Sequence, residues 1–260
     1  MTMREWASDS VYRGLYRLTG PGQGIKLILF YHSVGSDSLH SVPAHRFEQQ
    51  MRFLGERFKI VRLCDFGAAL TRESLNVDVA CVTFDDGYRD NYECALPILD
   101  RCGVKATFFI ATDFLGGFFP TFAGALPMMT GAQVRELAAF GHEVGAHTMG
   151  HPKLTQLSIH AAKAEIAGSK VFLENLLGCS LVSFAYPKGD FNPTTKELVR
   201  ESGFSFAVTV RPGIVRDPFD CLTLPRVWIN NAITAKGFHA RLSPALDRYQ
   251  SIRERLRLAL

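Results

Sequence analysis

The chain has 260 residues, of which 47% are hydrophobic and 21% are charged, as is typical of a soluble, well-packed globular protein. These proportions exclude a disordered or fibrous chain, and we find no apolar run suited to a signal peptide or a membrane span. The net charge is only +4, and no basic stripe with interleaved aromatic residues indicates nucleic-acid binding. We therefore expect a cytoplasmic protein.

The cysteines form no CxxC pair and no dense framework, and several lie inside apolar runs. This pattern predicts buried free thiols in a reducing compartment rather than disulfides. The cysteines are Cys64, Cys81, Cys94, Cys102, Cys179 and Cys221.

Short β-rich runs alternate with amphipathic helical patterns along most of the chain. This alternation predicts a parallel sheet with helices outside it, and the chain length favours closure into a barrel. Pro97 predicts a kink in the second helix. The predicted strands are Ile25–His32, Phe58–Leu63, Val79–Phe84, Val104–Ala111, His142–His147, Leu181–Tyr186, Ser205–Val210 and Leu222–Ile229. The predicted helices are Ala44–Arg57, Asn91–Cys102, Thr130–Phe140, Ser158–Leu177 and Pro193–Ser202.

We predict a single barrel domain over residues 25–232, an N-terminal helical extension over 1–24 and a basic helical tail over 233–260. Both terminal segments are amphipathic, and we expect them to pack against the barrel. The alternative is peripheral contact with a membrane surface through their basic residues. The arginines of the tail are Arg241, Arg248, Arg253, Arg255 and Arg257.

The first candidate site motif is Thr83-Phe-Asp-Asp-Gly87, in which two carboxylates stand where a strand ends. Successive side chains of a regular strand point to opposite faces, so both can serve one site only if the alternation breaks there. Gly87 permits such a break. An ordinary acidic turn is the alternative interpretation of this pair taken alone.

The second candidate motif is His147-Thr-Met-Gly-His151. The spacing either places two imidazoles one helical turn apart or brackets a tight turn at Gly150. Two histidines, one carboxylate and an open position form a catalytic zinc pattern. Because Asp85 and Asp86 end an earlier strand, all four residues are expected on one rim of the barrel.

Two further segments are predicted on the same rim. Phe184-Ala-Tyr-Pro-Lys-Gly189 ends a strand in a turn that can aim a main-chain N–H at an oxyanion. The aromatic loop from Gly116 to Pro127, with Phe119, either holds a sugar ring or packs down as an apolar patch.

Taken in order, these motifs resemble the polysaccharide deacetylases of carbohydrate esterase family four. The resemblance covers about residues 25–230. The motifs that carry it are Tyr31-His32, Thr83–Gly87, Lys105-Ala-Thr-Phe-Phe109, His147–His151 and Ala185–Gly189.

The resemblance implies an irregular (β/α) barrel of about seven parallel strands that removes acetyl groups from glycans. It implies that Asp85 is the general base and that Asp86, His147 and His151 bind Zn²⁺ or another divalent metal such as Co²⁺ or Ni²⁺. It also implies an oxyanion contact from the Lys188 N–H. Substrate contacts are expected from Tyr186, Pro187 and Phe119.

The chain departs from the family pattern in three places. Ala185 replaces an arginine that braces the base, and Arg226 is the candidate substitute, with a surface or purely structural role as its alternative. Lys188 replaces a tyrosine, which leaves the main-chain donor intact. The late Leu-x-x-His motif is not evident, since His239 lies in a predicted helix and is expected to be a surface residue. His32, at the end of the first strand, is therefore the candidate general acid, with a capping role as its alternative.

We therefore predict a metal-dependent hydrolase that removes N-acetyl groups from an amino-sugar polysaccharide or oligosaccharide. Its expected partner is an acetylated glycan, and no nucleic acid is expected. The alternatives are an O-acetyl esterase, a small-amide hydrolase on the same site, or an inactive glycan-binding or metal-binding protein.

Overall fold

Seven parallel strands close into a ring in the computed structural model, which describes residues 3–35, 40–70, 76–121 and 124–258. The strands are β1 (Lys26–Tyr31), β2 (Ser33–Val34), β3 (Ser41–Val42), β4 (Lys59–Ile60), β5 (Val79–Phe84), β6 (Thr107–Ile110), β7 (Phe118–Thr121), β8 (Gly124–Pro127), β9 (Glu143–Ala146), β10 (Ser183–Ala185), β11 (Phe206–Pro212) and β12 (Leu224–Trp228). The α-helices are α1 (Met3–Thr19), α2 (Ala44–Arg57), α3 (Leu63–Phe66), α4 (Leu96–Arg101), α5 (Gly131–Ala139), α6 (Ile159–Leu177), α7 (Pro193–Glu201), α8 (Ala235–Arg241) and α9 (Ala245–Leu258).

The ring runs β1-β12-β11-β10-β9-β6-β5 and closes because β5 also pairs with β1 along its whole length. The short strand β4 pairs with the start of β5, outside the ring. The predicted single-domain barrel of about seven parallel strands is confirmed. All seven carboxyl ends meet at one rim, which places the segments that follow β1, β5, β9 and β10 near one another.

Side chains of the ring strands alternate between the barrel interior and the layer of helices. The interior cluster contains Ile28, Cys81, Phe109, Ala185, Val208 and Leu224. The larger, helix-facing cluster contains Leu27, Leu29, Val82, Phe84, Phe108, Ile110 and Phe184. Burial on both faces explains the near-continuous apolar runs of the sequence.

The predicted helix over Asn91–Cys102 begins with a π-helical turn at Asn91–Ala95, and α4 follows. Pro97 lies in the first turn of α4, where its missing N–H costs nothing. The predicted irregularity is therefore present, but it precedes the proline. The aromatic loop forms an antiparallel hairpin of β7 and β8 rather than an irregular segment.

Gly145 of β9 allows a close approach inside the barrel. A Cβ atom there would lie 2.6 Å from two ring atoms of Phe109 and 2.9 Å from the Ser183 carbonyl oxygen. We expect Gly145→Ala to lower the free energy of unfolding by about 1–3 kcal/mol through overpacking, measured by urea denaturation. Gly55→Ala in α2 is the control, because its Cβ would meet nothing within 4 Å; it should be neutral or slightly stabilising. Equal stability of both variants would contradict the prediction.

The terminal helices pack against each other. The rings of Tyr12 in α1 and Tyr249 in α9 lie 4.2 Å apart, and the Arg241 guanidinium lies 4.3 Å from the centroid of the Tyr12 ring. Arg241 is only 8% exposed, so it belongs to this contact and not to a solvated basic face. The side chains of Arg253, Arg255 and Arg257 lie outside the described residues. No helix in the described part of the chain has the length and apolarity needed to cross a membrane.

All six cysteines are free thiols, as predicted. Burial is less complete than expected, since only Cys81 is fully buried and Cys179 is exposed. The Cys81 thiol lies in the barrel interior, where burial raises its pKa well above the ordinary value.

Candidate active site

The turn after β5 brings both carboxylates to one site. Asp85 continues the inward alternation of Cys81 and Thr83, so Asp86 would point outward if the strand went on. Instead the backbone turns left-handed at Asp86, with φ of 73°, and at Gly87, with φ of 92°. A Cβ at Gly87 would also lie 3.1 Å from Ile110 Cδ1. The predicted break in alternation is present, and it explains the glycine.

Arg226 of β12 binds the Asp85 carboxylate through two parallel hydrogen bonds. Its Nη1 and Nη2 lie 2.7 and 2.6 Å from the two carboxylate oxygens of Asp85. Nη1 also donates to Thr83 Oγ1, Nε donates to the Thr209 carbonyl oxygen, and the guanidinium lies 4.2 Å from the centroid of the Phe30 ring. Burial raises the pKa of Asp85, but Arg226 outweighs that effect and lowers it overall. The carboxylate is thus held ionised in a fixed orientation.

Asp86, His147 and His151 form a candidate metal site. Their ligand atoms lie within 4.8 Å of one another, and each histidine Nε2 is 3.4 Å from Asp86 Oδ1. That carboxylate oxygen is buried and lacks a well-formed hydrogen bond to any described residue. Three converging side chains, one of which is a carboxylate with an unsatisfied oxygen, are suited to binding a divalent cation.

The two histidines present lone pairs for different reasons. Nδ1 of His147 donates a hydrogen bond to the Ala185 carbonyl oxygen, 2.7 Å away, which leaves Nε2 free of a proton in the neutral ring. Burial lowers the pKa of His147, but Asp86 and Asp85 outweigh burial and raise it overall. Burial lowers the pKa of His151 to about 4, so this imidazole is neutral at physiological pH.

The segment from His147 to His151 is a turn, which decides between the two arrangements that its spacing allowed. His147 directly follows β9, and its N–H donates to the Ile110 carbonyl oxygen. The backbone is left-handed at Thr148, with φ of 64°, and at His151, with φ of 57°. The Thr148 hydroxyl accepts a hydrogen bond from the His151 N–H at 3.1 Å. The histidines therefore approach from two sides of a loop and not from one helix face.

The turn after β10 is a single 3₁₀ turn over Pro187–Gly189. Lys188 has φ of 59°, its side chain is exposed, and its charge helps to lower the pKa of His151. A Cβ at Gly189 would lie 2.4 Å from Val210 Cγ2, so the turn requires glycine there. The Lys188 N–H, the predicted oxyanion donor, thus belongs to a tight turn at the rim of the barrel.

Every non-glycine residue with a left-handed backbone in the described part of the chain lies in these turns. They are Asp86, Thr148, His151 and Lys188. Such conformations persist only where the surrounding structure enforces them, and they concentrate at functional sites. The concentration here is independent evidence that the rim of the barrel is the functional site.

His32 directly follows β1, so it lies on the same rim of the barrel as the two carboxylates. Its ring approaches the ring of Trp228, with centroids 6.5 Å apart. Nδ1 of His32 is buried and has no hydrogen-bond partner among the described residues. By contrast, His239 stacks on Phe53 of α2 at 4.0 Å and is half-buried, not a surface residue.

The predicted substrate contacts differ in accessibility. Phe119 of β7 meets the His151 ring edge-on at 5.2 Å and is partly exposed. Tyr186 is fully buried against Phe184 and Phe191, which leaves only its main chain for a ligand. Pro187 is also buried.

The sequence-based predictions missed Tyr88 and Trp228. Tyr88 is buried beside Asp86, and burial followed by the Asp86 charge raises the pKa of its hydroxyl. Trp228 ends β12 and is 38% exposed on the rim. The sequence could have indicated Trp228, because it stands two residues after Arg226 on a predicted strand and residues i and i+2 of a strand share a face.

A parallel barrel with a carboxylate–arginine pair and three convergent ligand side chains at its carboxyl rim has the arrangement expected of an enzyme active site. The polysaccharide deacetylase family model matches residues 72–207, more than half of the chain. The Bacillus subtilis protein YxkH is 29% identical over 215 residues, which cover 82% of this chain and 74% of YxkH. The poly-beta-1,6-N-acetyl-D-glucosamine N-deacetylase of Staphylococcus epidermidis is 23% identical over 202 residues, covering 74% of this chain and 69% of that protein.

The Streptococcus pyogenes deacetylase PplD, solved in complex with acetate, has the same fold. It is 27% identical, with a TM-score of 0.74, and the match covers 86% of this chain and 100% of PplD. The chain therefore belongs to the polysaccharide deacetylase family, and the resemblance inferred from its motifs is confirmed.

Proposed function

We propose that this enzyme removes N-acetyl groups from an amino-sugar polysaccharide or oligosaccharide in a metal-dependent reaction that releases acetate. The observation that carries the proposal is the convergence of Asp86, His147 and His151 beside the Arg226-braced Asp85. The N-deacetylase named for the Staphylococcus epidermidis relative and the acetate in the PplD structure support the same chemistry.

The ligand set of one carboxylate and two imidazoles suits Zn²⁺, and Co²⁺ or Ni²⁺ accept the same donors. When bound, such an ion polarises a carbonyl and lowers the pKa of water. Asp86 would supply the oxygen ligand, and the ion would give its buried Oδ1 a partner that no described residue provides.

The protein residues would handle the protons and the developing charge. Asp85, ionised because of Arg226, would accept the proton of the attacking water. The Lys188 N–H would stabilise the oxyanion. His32 would donate a proton to the departing sugar amine. Phe119 would contact the sugar face, and the buried Tyr186 and Pro187 would shape the wall through the main chain.

The proposal is tested by acetate release from N-acetylglucosamine oligomers. Activity is expected to disappear with a chelator and to return with Zn²⁺, and Asp86→Ala should lose at least about 1000-fold in kcat/KM because it loses both the ion and its activation of water. Asp65→Ala is the control, because Asp65 pairs with Arg62 on the surface. Release from O-acetylated sugars or small amides alone would support the alternative hydrolase, and activity that survives chelation would contradict metal dependence.

A further inference from the structure

A side chain outside the metal triad holds the loop that carries both histidines. Glu165 is a half-buried residue in the second turn of α6. Its Oε2 accepts hydrogen bonds from the N–H groups of Met149 and Gly150, both at 2.9 Å. Hydrogen bonds to an ionised carboxylate are stronger than those between neutral groups, so this helix restrains the middle of the His147–His151 loop.

The two histidines depend on this restraint unequally. His147 is fixed by β6, through the hydrogen bond from its N–H to the Ile110 carbonyl oxygen, and by the Ala185 carbonyl oxygen at its ring. His151 follows a stretch of irregular backbone with left-handed conformations at Thr148 and at His151 itself. The position of its Nε2 beside Asp86 therefore depends in part on where Met149 and Gly150 are held, by Glu165 and by the Asp113 N–H, which donates to the Met149 carbonyl oxygen at 3.1 Å.

The loop and the helix also fit sterically at this point. Gly168, three residues after Glu165 on the same face of α6, leaves space for Met149, because a Cβ there would lie 2.5 Å from Met149 Sδ. A Cβ at Gly150 would lie 3.5 Å from Glu165 Oε1. Gly168 thus lets the loop approach α6 where Glu165 binds its main chain, whereas a Cβ at Gly150 would make only an ordinary van der Waals contact.

We propose that Glu165 is a positioning residue of the metal site, which it serves by fixing the main chain between the two histidine ligands. The inference rests on the proposed metal-dependent function. Glu165 touches neither the ion nor the substrate, and its contribution is the placement of His151. Residues that support metal ligands in this way typically change metal affinity by about 10–100-fold.

The test is a Zn²⁺ titration of the metal-free protein by calorimetry with a competing chelator. Glu165→Ala and Glu165→Met both remove the acceptor, and each should raise the Kd for Zn²⁺ by about 10–100-fold. Methionine keeps the length of the side chain and favours the helix, so it serves if the alanine variant folds poorly. Glu165→Gln retains an oxygen that can accept both bonds and should keep most of the affinity.

Glu174→Ala is the matched control, because Glu174 lies on the same helix and also accepts a main-chain hydrogen bond, from the Leu181 N–H at 2.9 Å. It should leave the Kd unchanged. Tight Zn²⁺ binding by Glu165→Met, or equal weakening by Glu174→Ala, would overturn the positioning role. Absence of Zn²⁺ binding by the unaltered protein would instead overturn the proposed function.

Discussion

Replacing Arg226 with methionine is expected to lower the free energy of unfolding by about 3–5 kcal/mol, because it leaves the buried Asp85 carboxylate without its partner. Arg226 is fully buried, and its guanidinium makes the two hydrogen bonds that satisfy Asp85. Without it, burial raises the pKa of Asp85 and the base is lost, so kcat/KM should fall as well. Urea denaturation at neutral pH and an acetate-release assay measure the two effects.

A double variant separates the buried charge from simple loss of packing. Arg226→Met combined with Asp85→Asn removes both charges, so it should be more stable than Arg226→Met alone. Arg226→Lys keeps a charge but cannot reproduce the two parallel bonds to Asp85 together with the bond to Thr209. If the double variant is no more stable than Arg226→Met, the buried carboxylate is not the cause of the instability.

Asp85→Asn is expected to lower kcat/KM by about 10²–10⁴-fold, since it removes the proposed general base. Metal affinity should be retained, because the ligand atoms belong to Asp86, His147 and His151. Measurements of acetate release and of the Kd for Zn²⁺ on the same variant test whether activity and metal affinity separate in this way. Asp86→Asn should instead weaken Zn²⁺ binding.

Stability must be followed in the same experiment, because Asp85→Asn leaves the Arg226 charge buried beside a neutral amide. The circular dichroism spectrum and the unfolding midpoint show whether the variant is folded at the assay temperature. A folded Asp85→Asn enzyme with unchanged kcat/KM would rule out Asp85 as the base. A folded variant that loses Zn²⁺ as well would place Asp85 among the metal ligands.

The barrel was predictable from local pattern. The alternation of buried strands and amphipathic helices, and the exact range Ala44–Arg57 of α2, follow from periodicity and propensity, which act over neighbouring residues. The need for a break between Asp85 and Asp86 also followed from strand geometry. Strand ends were less predictable, as the two-residue β4 within the predicted Phe58–Leu63 strand shows, because pairing partners set those limits.

The site itself required contacts that sequence order does not encode. The sequence suggested Arg226 as the brace of Asp85 only because the family arginine is missing at Ala185. The hydrogen bonds between Arg226 and Asp85 join residues 141 positions apart. The spacing of His147 and His151 was compatible with a helix or with a turn. The structure shows a turn, and its Met149 and Gly150 N–H groups donate hydrogen bonds to Glu165.

The sequence by itself thus determined which residues could do the chemistry and the rim on which they would lie. Side-chain type and strand order are local properties, and parallel strands bring their ends together. The residues alone did not divide the roles of the two carboxylates, and the motif resemblance only implied the division; the tertiary structure shows that Arg226 contacts Asp85 and that the histidines meet Asp86. That division depends on left-handed turns, such as the one at Asp86, and on buried partners brought from distant strands, whose energies exist only in the closed barrel.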